Sequence, residues 1–178
     1  MHLMSATDPQ AQFEQVVMPH LDAAYNLARW LAGNDHDAED IAQEASLRAF
    51  RFLAGFRGGN SRSWLLTIVR NTAYTWLKQN RPQTLVSIAD EELREIEDPA
   101  AASHSAALHH ADRDVLRAAL EELPVEFREV LILRELEGLS YKEIAEIADA
   151  PIGTVMSRLA RARKQLQEYL SRKGAIEK

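Results

Sequence analysis

Cysteine is absent from all 178 residues. That excludes a disulfide framework, a thiolate metal site, a cysteine nucleophile and redox sensing through the chain's own thiols. No stretch approaches 18 uninterrupted apolar residues, and residues 1–10 carry neither a basic n-region nor an apolar h-region. The expectation is an untargeted cytoplasmic protein with no membrane insertion. The alternating pattern of half-buried strands is missing, as are internal repeats and true low-complexity tracts. No glycine-rich phosphate loop, Ser/His/Asp arrangement or paired-carboxylate constellation rises above chance, so the chain is read as a non-enzyme.

What is present is ordinary in total and uneven in layout. At 46% hydrophobic and 27% charged, the chain is too apolar for disorder. Its 21 Lys+Arg against 27 Asp+Glu give a net charge of −6, which looks wrong for a nucleic-acid binder. A partner, however, sees only a local surface. Residues 48–81 hold seven basic side chains, no acidic one and half of the 12 aromatics. Residues 151–173 hold six basic side chains against Glu168 alone. Between these basic stretches, residues 82–111 carry six carboxylates and a single arginine, Arg94.

That middle segment also contains Pro82, Pro99 and a run of small residues, Ala100-Ala101-Ala102-Ser103, without a sustained apolar period. It reads as a flexible acidic linker. The expected organisation is therefore all-α: a helical domain over 1–81, a linker over 82–111, and a second helical domain over 112–178. In the first, Leu21, Tyr25, Ala28 and Ala32 mark a helix over about 19–32 that Gly33 ends. Asp37 is expected to cap the next helix, with Ile41, Ala45, Ala49 and Phe52 facing inward. A third helix over about 61–79 places Trp64, Leu65, Ile68, Val69, Thr72 and Trp76 mainly in the core. Thr67, Arg70, Asn71, Tyr74 and Lys78 share its opposite stripe.

In the second domain, helices over about 112–122 and 124–137 are split at Leu123-Pro124, with proline in the first helical turn. Ser140 and Glu143 form a capping box for a short helix with Ile144, Ala145 and Ala148 inside. A tight turn over 149–153 then leads into a long helix whose core face is Val155, Leu159, Ala162 and Leu166. Thr154, Ser157, Arg158, Arg161 and Gln165 occupy the other side. A short helix, a tight turn and a longer helix with an Arg/Ser/Thr face make a helix-turn-helix, whose second helix enters the major groove of DNA. Arginine supplies a planar fork for guanine or phosphate, and Thr or Ser at a helix start helps hold a phosphate. The basic, aromatic stretch over 48–81 suits single-stranded or opened nucleic acid instead, because rings stack on exposed bases while cations follow the backbone. Phe50, Phe52 and Trp76 are read as core residues, whereas Asn71 and Tyr74 are read as functional.

Three motifs carry a family resemblance. Asp37-Ala38-Glu39-Asp40-Ile41-Ala42-Gln43-Glu44, then Trp64-Leu65-Leu66-Thr67-Ile68-Val69-Arg70-Asn71, then Gly153-Thr154-Val155-Met156-Ser157-Arg158-Leu159-Ala160-Arg161-Ala162-Arg163 resemble, in order and spacing, the bacterial extracytoplasmic-function (ECF) sigma factors. The resemblance covers nearly all of the chain outside the linker and implies two domains, sigma2 and sigma4. It implies docking on the beta-prime coiled coil of core RNA polymerase through Asp37, Asp40, Gln43 and Glu44. It implies melting of the promoter's minus 10 element by Arg62, Trp64, Thr67, Arg70, Asn71, Tyr74 and Lys78, with a flipped nontemplate base held near Asn71. The linker would run toward the polymerase active site and RNA exit channel. Thr154, Met156, Ser157, Arg158, Arg161 and Arg163 would read the minus 35 element as duplex while their domain rests on the beta flap. An anti-sigma factor is an implied regulatory partner, and no cofactor or metal is implied.

Two positions depart from the family pattern. Met156 stands where many relatives carry Lys or Arg, and Ala160 is small where a larger side chain can touch a base. Two other classes compete with the sigma reading. A conventional helix-turn-helix regulator needs only duplex contacts and gives no reason for the acid-free aromatic stretch, and a protein-interaction adaptor leaves Arg158 and Arg161 unexplained. His104, His109 and His110 match no firm metal-ligand spacing.

Overall fold

The computed structural model describes residues 8–85 and 112–174, and every regular element among them is helical. In chain order these are α1 (Pro9–Val16), α2 (Leu21–Ala32), α3 (Asp35–Phe52), α4 (Ser61–Asn80), α5 (Arg113–Glu122), α6 (Val125–Leu131), α7 (Tyr141–Ala148) and α8 (Ile152–Arg172). Short 3-10 turns lie at Met18–His20, Leu53–Gly55 and Pro82–Leu85. The chain divides into two compact units, Met1–Trp76 and Leu77–Lys178, with the division falling in the last turn of α4. The acidic carboxylates and the three histidines of the expected linker lie outside the described residues.

In the first unit, α2 and α3 pack along stripes rich in alanine. Ala24, Leu27, Ala28, Leu31 and Ala32 are buried on α2, and Ala38, Ile41, Ala45 and Ala49 on α3. Small side chains on both faces let the two axes approach closely. Gly33 ends α2 in the left-handed region at φ 88°, where its N–H donates to the Arg29 carbonyl. The expected residues Leu21 and Tyr25 are only half-buried, because the buried set begins at Ala24 and runs through Leu27, Ala28, Leu31 and Ala32.

The cap of α3 also differs from expectation. Asn34 is the capping residue: its side-chain oxygen accepts from the Asp37 N–H at 2.9 Å, and its amide donates to the Asp37 carboxylate at 2.6 Å. Asp37 thus sits at the third helical position, where its charge also meets the positive end of the helix dipole. At the far end, Phe50 and Phe52 are 50% and 58% exposed, not core; Leu53 turns inward in their place. α4 starts at Asn60, whose side chain accepts from the Ser63 N–H. It buries Leu65, Leu66, Val69, Thr72, Ala73 and Leu77, while Trp64, Ile68 and Trp76 stay half-buried.

The second unit is built around α6, which is buried on nearly every side through Val125, Phe127, Glu129, Val130 and Leu131. Such an all-round buried pattern marks a central helix. Pro124 occupies the capping position, one residue before the first turn. The helix then widens into a π-helical turn, Ile132–Leu136, a register change the apolar spacing does not reveal. Gly138 follows at φ 66°. Arg134 fastens this corner: it donates to the Leu139 carbonyl at 2.8 Å, and its guanidinium lies 4.7 Å over the Tyr141 ring. The Ser140/Glu143 capping box opens α7, whose buried residues are Ile144, Ile147 and Ala148, with Ile147 taking the place expected for Ala145. Asp149 closes α7 at φ 51°, and α8 begins three residues later, so Gly153 lies inside the helix and not in the turn.

Candidate nucleic-acid interface

The exposed surface of α3 comes from the residues its alanine stripe leaves outside. Asp40 and Gln43 are exposed. Glu44 is drawn into an ion pair with Arg48 at 3.0 Å, and Arg48 reaches on to the Thr72 hydroxyl at 3.5 Å. Asp37 is half-buried in its cap. The four predicted docking residues therefore share one helix but differ in role, with Asp40 and Gln43 the two most open to a partner. His36, Asp37 and Asp40 each place one potential ligand atom within 4.8 Å of the others, but Asp37 is already engaged by Asn34.

Beside this surface lies a groove of about 660 Å³ lined by Phe13, Leu21, Tyr25, Gln43, Leu47 and Phe50, among others. Leu47 is 56% exposed, and Phe50 leans on Phe13 with ring centroids 5.8 Å apart. Partial desolvation, then the charges of Asp35 and Glu39, raise the Tyr25 phenol above its ordinary pKa, so it remains a donor to Asp35. Sequence reasoning missed Leu47 and Phe13. Leu47 was within reach, lying one turn after Gln43 and two after Asp40 on the same exposed stripe.

On α4 the expected stripe is present. Asn71 and Lys78 are exposed, while Arg62, Thr67, Arg70 and Tyr74 are half-buried. The Arg70 guanidinium lies 3.9 Å over the Tyr74 ring and donates weakly to the Asn71 side chain at 3.4 Å. Thr67 turns its hydroxyl back to the Ser63 carbonyl at 2.8 Å, which spends its donor inside the helix. Trp64 packs on Phe56, with centroids 5.1 Å apart. The stripe thus offers a neutral amide, a ring already stacked on a cation, and an exposed ammonium, the groups that hold an unpaired base and its phosphate.

In the second unit, α7, its turn and α8 form the helix-turn-helix. Val155, Leu159, Ala162, Leu166 and Leu170 seat α8 in the domain. Farther along, the burial widens to three successive residues: Arg161 and Arg163 are 5% and 8% exposed, with Ala162 between them. Arg163 donates to Glu135 on the π turn at 2.9 Å. Both arginines were expected to face DNA; in this structure both are largely buried within the folded chain. What stays open is the first two turns, with Met156 exposed and Thr154, Ser157, Arg158 and Ala160 half-buried. Pro151 supplies no side-chain cap, so the first amides of α8 remain suited to a phosphate oxygen.

Fold and surface together define a helical protein with a helix-turn-helix in one unit and a basic, aromatic helix face in the other. The comparisons specify it further. The models for Sigma-70 region 2 and Sigma-70, region 4 match residues 16–83 and 113–166. The chain is 37% identical over 176 residues to ECF RNA polymerase sigma factor SigE of Mycolicibacterium smegmatis, covering 96% of this chain and 67% of that one. It is 33% identical over 169 residues to RNA polymerase sigma-H factor of Pseudomonas aeruginosa, covering 89% and 86%. Among solved structures, it is similar to the sigma factor RpoE in complex with the anti-sigma factor NepR from Bartonella quintana, with TM-score 0.68 and 32% identity over 89% of this chain and 96% of that one. It is also similar to CnrH in complex with the cytosolic domain of CnrY, with TM-score 0.64 and 25% identity over 94% and 92%. The chain belongs to the ECF sigma factors, which are transcription initiation factors and not enzymes.

Proposed function

We propose that this chain joins core RNA polymerase in the cytoplasm, gives it promoter specificity and helps it open DNA, leaving the chemistry to the polymerase. In this reading Asp40 and Gln43, supported by Asp37 and Glu44, dock α3 on the beta-prime coiled coil, and the second unit rests on the beta flap. Asn71, Tyr74, Arg70 and Lys78 of α4 receive the opened nontemplate strand of the minus 10 element, with Arg62, Trp64 and Thr67 shaping the start of that helix. Thr154, Met156 and Ser157 read the minus 35 duplex with Arg158 on its backbone, while Arg163, paired with Glu135, holds the reading helix in its domain. Control by an anti-sigma factor is part of the proposal, supported by the similar sigma factor RpoE, which was co-crystallised with the anti-sigma factor NepR. No helix among the described residues is long and apolar enough to cross a membrane.

The observation that carries this reading is the pairing of two different nucleic-acid faces in one chain: an acid-free stripe of amide, ring and cations on α4, and an uncapped helix-turn-helix start on α8. The first suits unpaired bases and the second suits duplex. Run-off transcription with core polymerase and a randomised promoter library tests it. Selected templates carrying two separated elements support the reading, and a single palindromic site, or no transcript, rejects it.

A further inference from the structure

The exposed start of α8 carries two apolar side chains that its domain does not use. Ile152 and Met156 are 46% and 52% exposed and sit one helical turn apart, so they form one continuous apolar edge. Val155 and Leu159, their neighbours in sequence, fill the interior. The edge is flanked by Thr154, Ser157 and Arg158, polar groups that suit a phosphate backbone. Only one group in the major groove is apolar: the C5 methyl of thymine, which is read by contact with carbon and not by hydrogen bonding.

Resting on the promoter-reading proposal above, we infer that Met156, with Ile152 beside it, specifies a thymine in the minus 35 element through its methyl group. Methionine suits the task because an unbranched, polarizable side chain adapts its shape to a small target. An arginine at the same position would hydrogen-bond guanine instead. Arg158, close by and half-buried, holds the backbone and carries no base preference.

The test uses the full chain with core polymerase on its own selected promoter. Each thymine of the minus 35 element is replaced singly by deoxyuridine, which removes the methyl and nothing else. One replacement weakens holoenzyme binding about fourfold, the factor that burial of one methyl group supplies. Met156→Ala holoenzyme binds the thymine and uracil forms equally, and Met156→Arg shifts the preferred base at that step to guanine. Because residue 156 is exposed, these variants keep the helical content of the parent by circular dichroism. Indifference of the parent holoenzyme to every uracil, or a uracil penalty that survives in Met156→Ala, overturns the inference. A selected minus 35 element without thymine does so too. If uracil has no effect while Met156→Ala weakens binding to core polymerase, the apolar edge is a protein contact instead. A selection that returns no minus 35 preference at all overturns the promoter reading itself.

Discussion

Arg163 illustrates how a residue's type and its position can point in different directions. Its place in an Arg/Ser-rich helix suggests DNA, yet its side chain is 10% exposed and bonded to Glu135. Removing one partner of a largely buried pair leaves the other desolvated without compensation. Arg163→Ala is therefore expected to lower the unfolding free energy by about 1–3 kcal/mol in urea titration, less than for a fully buried pair because Glu135 is partly hydrated. Exchanging the two charges, Arg163→Glu with Glu135→Arg, should recover part of that loss. Arg161→Ala should leave the ranking of promoters unchanged in a competition assay, since the residue is 5% exposed; a changed ranking would return Arg161 to the reading face. Sequence periodicity put Arg161 opposite Val155 and Leu159, yet the residue is buried. Helical phase says which way a side chain leaves the helix, but not whether other parts of the chain cover it. Phe52 was expected inside because it continues the period of Ile41, Ala45 and Ala49, but it and Phe50 are exposed and Leu53 takes the interior position.

At the scale of elements, the division of labour between α3 and α4 is what mutation can separate. Asn71 is exposed on α4, whereas Asp40 and Gln43 lie on α3. Asn71→Ala should leave the affinity for core polymerase unchanged and reduce transcription from duplex promoters. A template mismatched at the minus 10 element removes the cost of unpairing but keeps the need for base recognition, so it should restore activity only in part. Full rescue would make Asn71 a melting residue without readout, and no loss on duplex would make the stripe a solvated helix face. Most of these elements were legible in the sequence because alanine, leucine and isoleucine recur at helical steps and glycine ends the runs. α1 was not, since Pro9–Val16 buries no residue and so leaves no apolar period. The Asn34 cap was missed because Asp37 is an equally good capping type; only the reciprocal bonds decide between them. The π turn was missed because one carbonyl's change of partner leaves the buried set, Ile132 and Leu133, in an ordinary helical order.

For the whole molecule, charge layout carries the functional argument. A net charge of −6 would oppose DNA if it were uniform, but the acid-free stretch over 48–81 and the basic stretch over 151–173 concentrate cations on the two proposed readers. Each reader alone is small, and two weak contacts gain strength only when something fixes their separation. The sequence showed two basic stretches around an acidic one because each part has its own composition. It could not disclose which arginines remain exposed, which is a property of the folded domain. Footprinting of one selected promoter at physiological salt, by the free chain and by the chain with core polymerase, tests the central claim. The account predicts no protected site with the free chain, and with polymerase two protected patches and reactive, unpaired thymines at the minus 10 element. Tight sequence-specific protection by the free chain would contradict it.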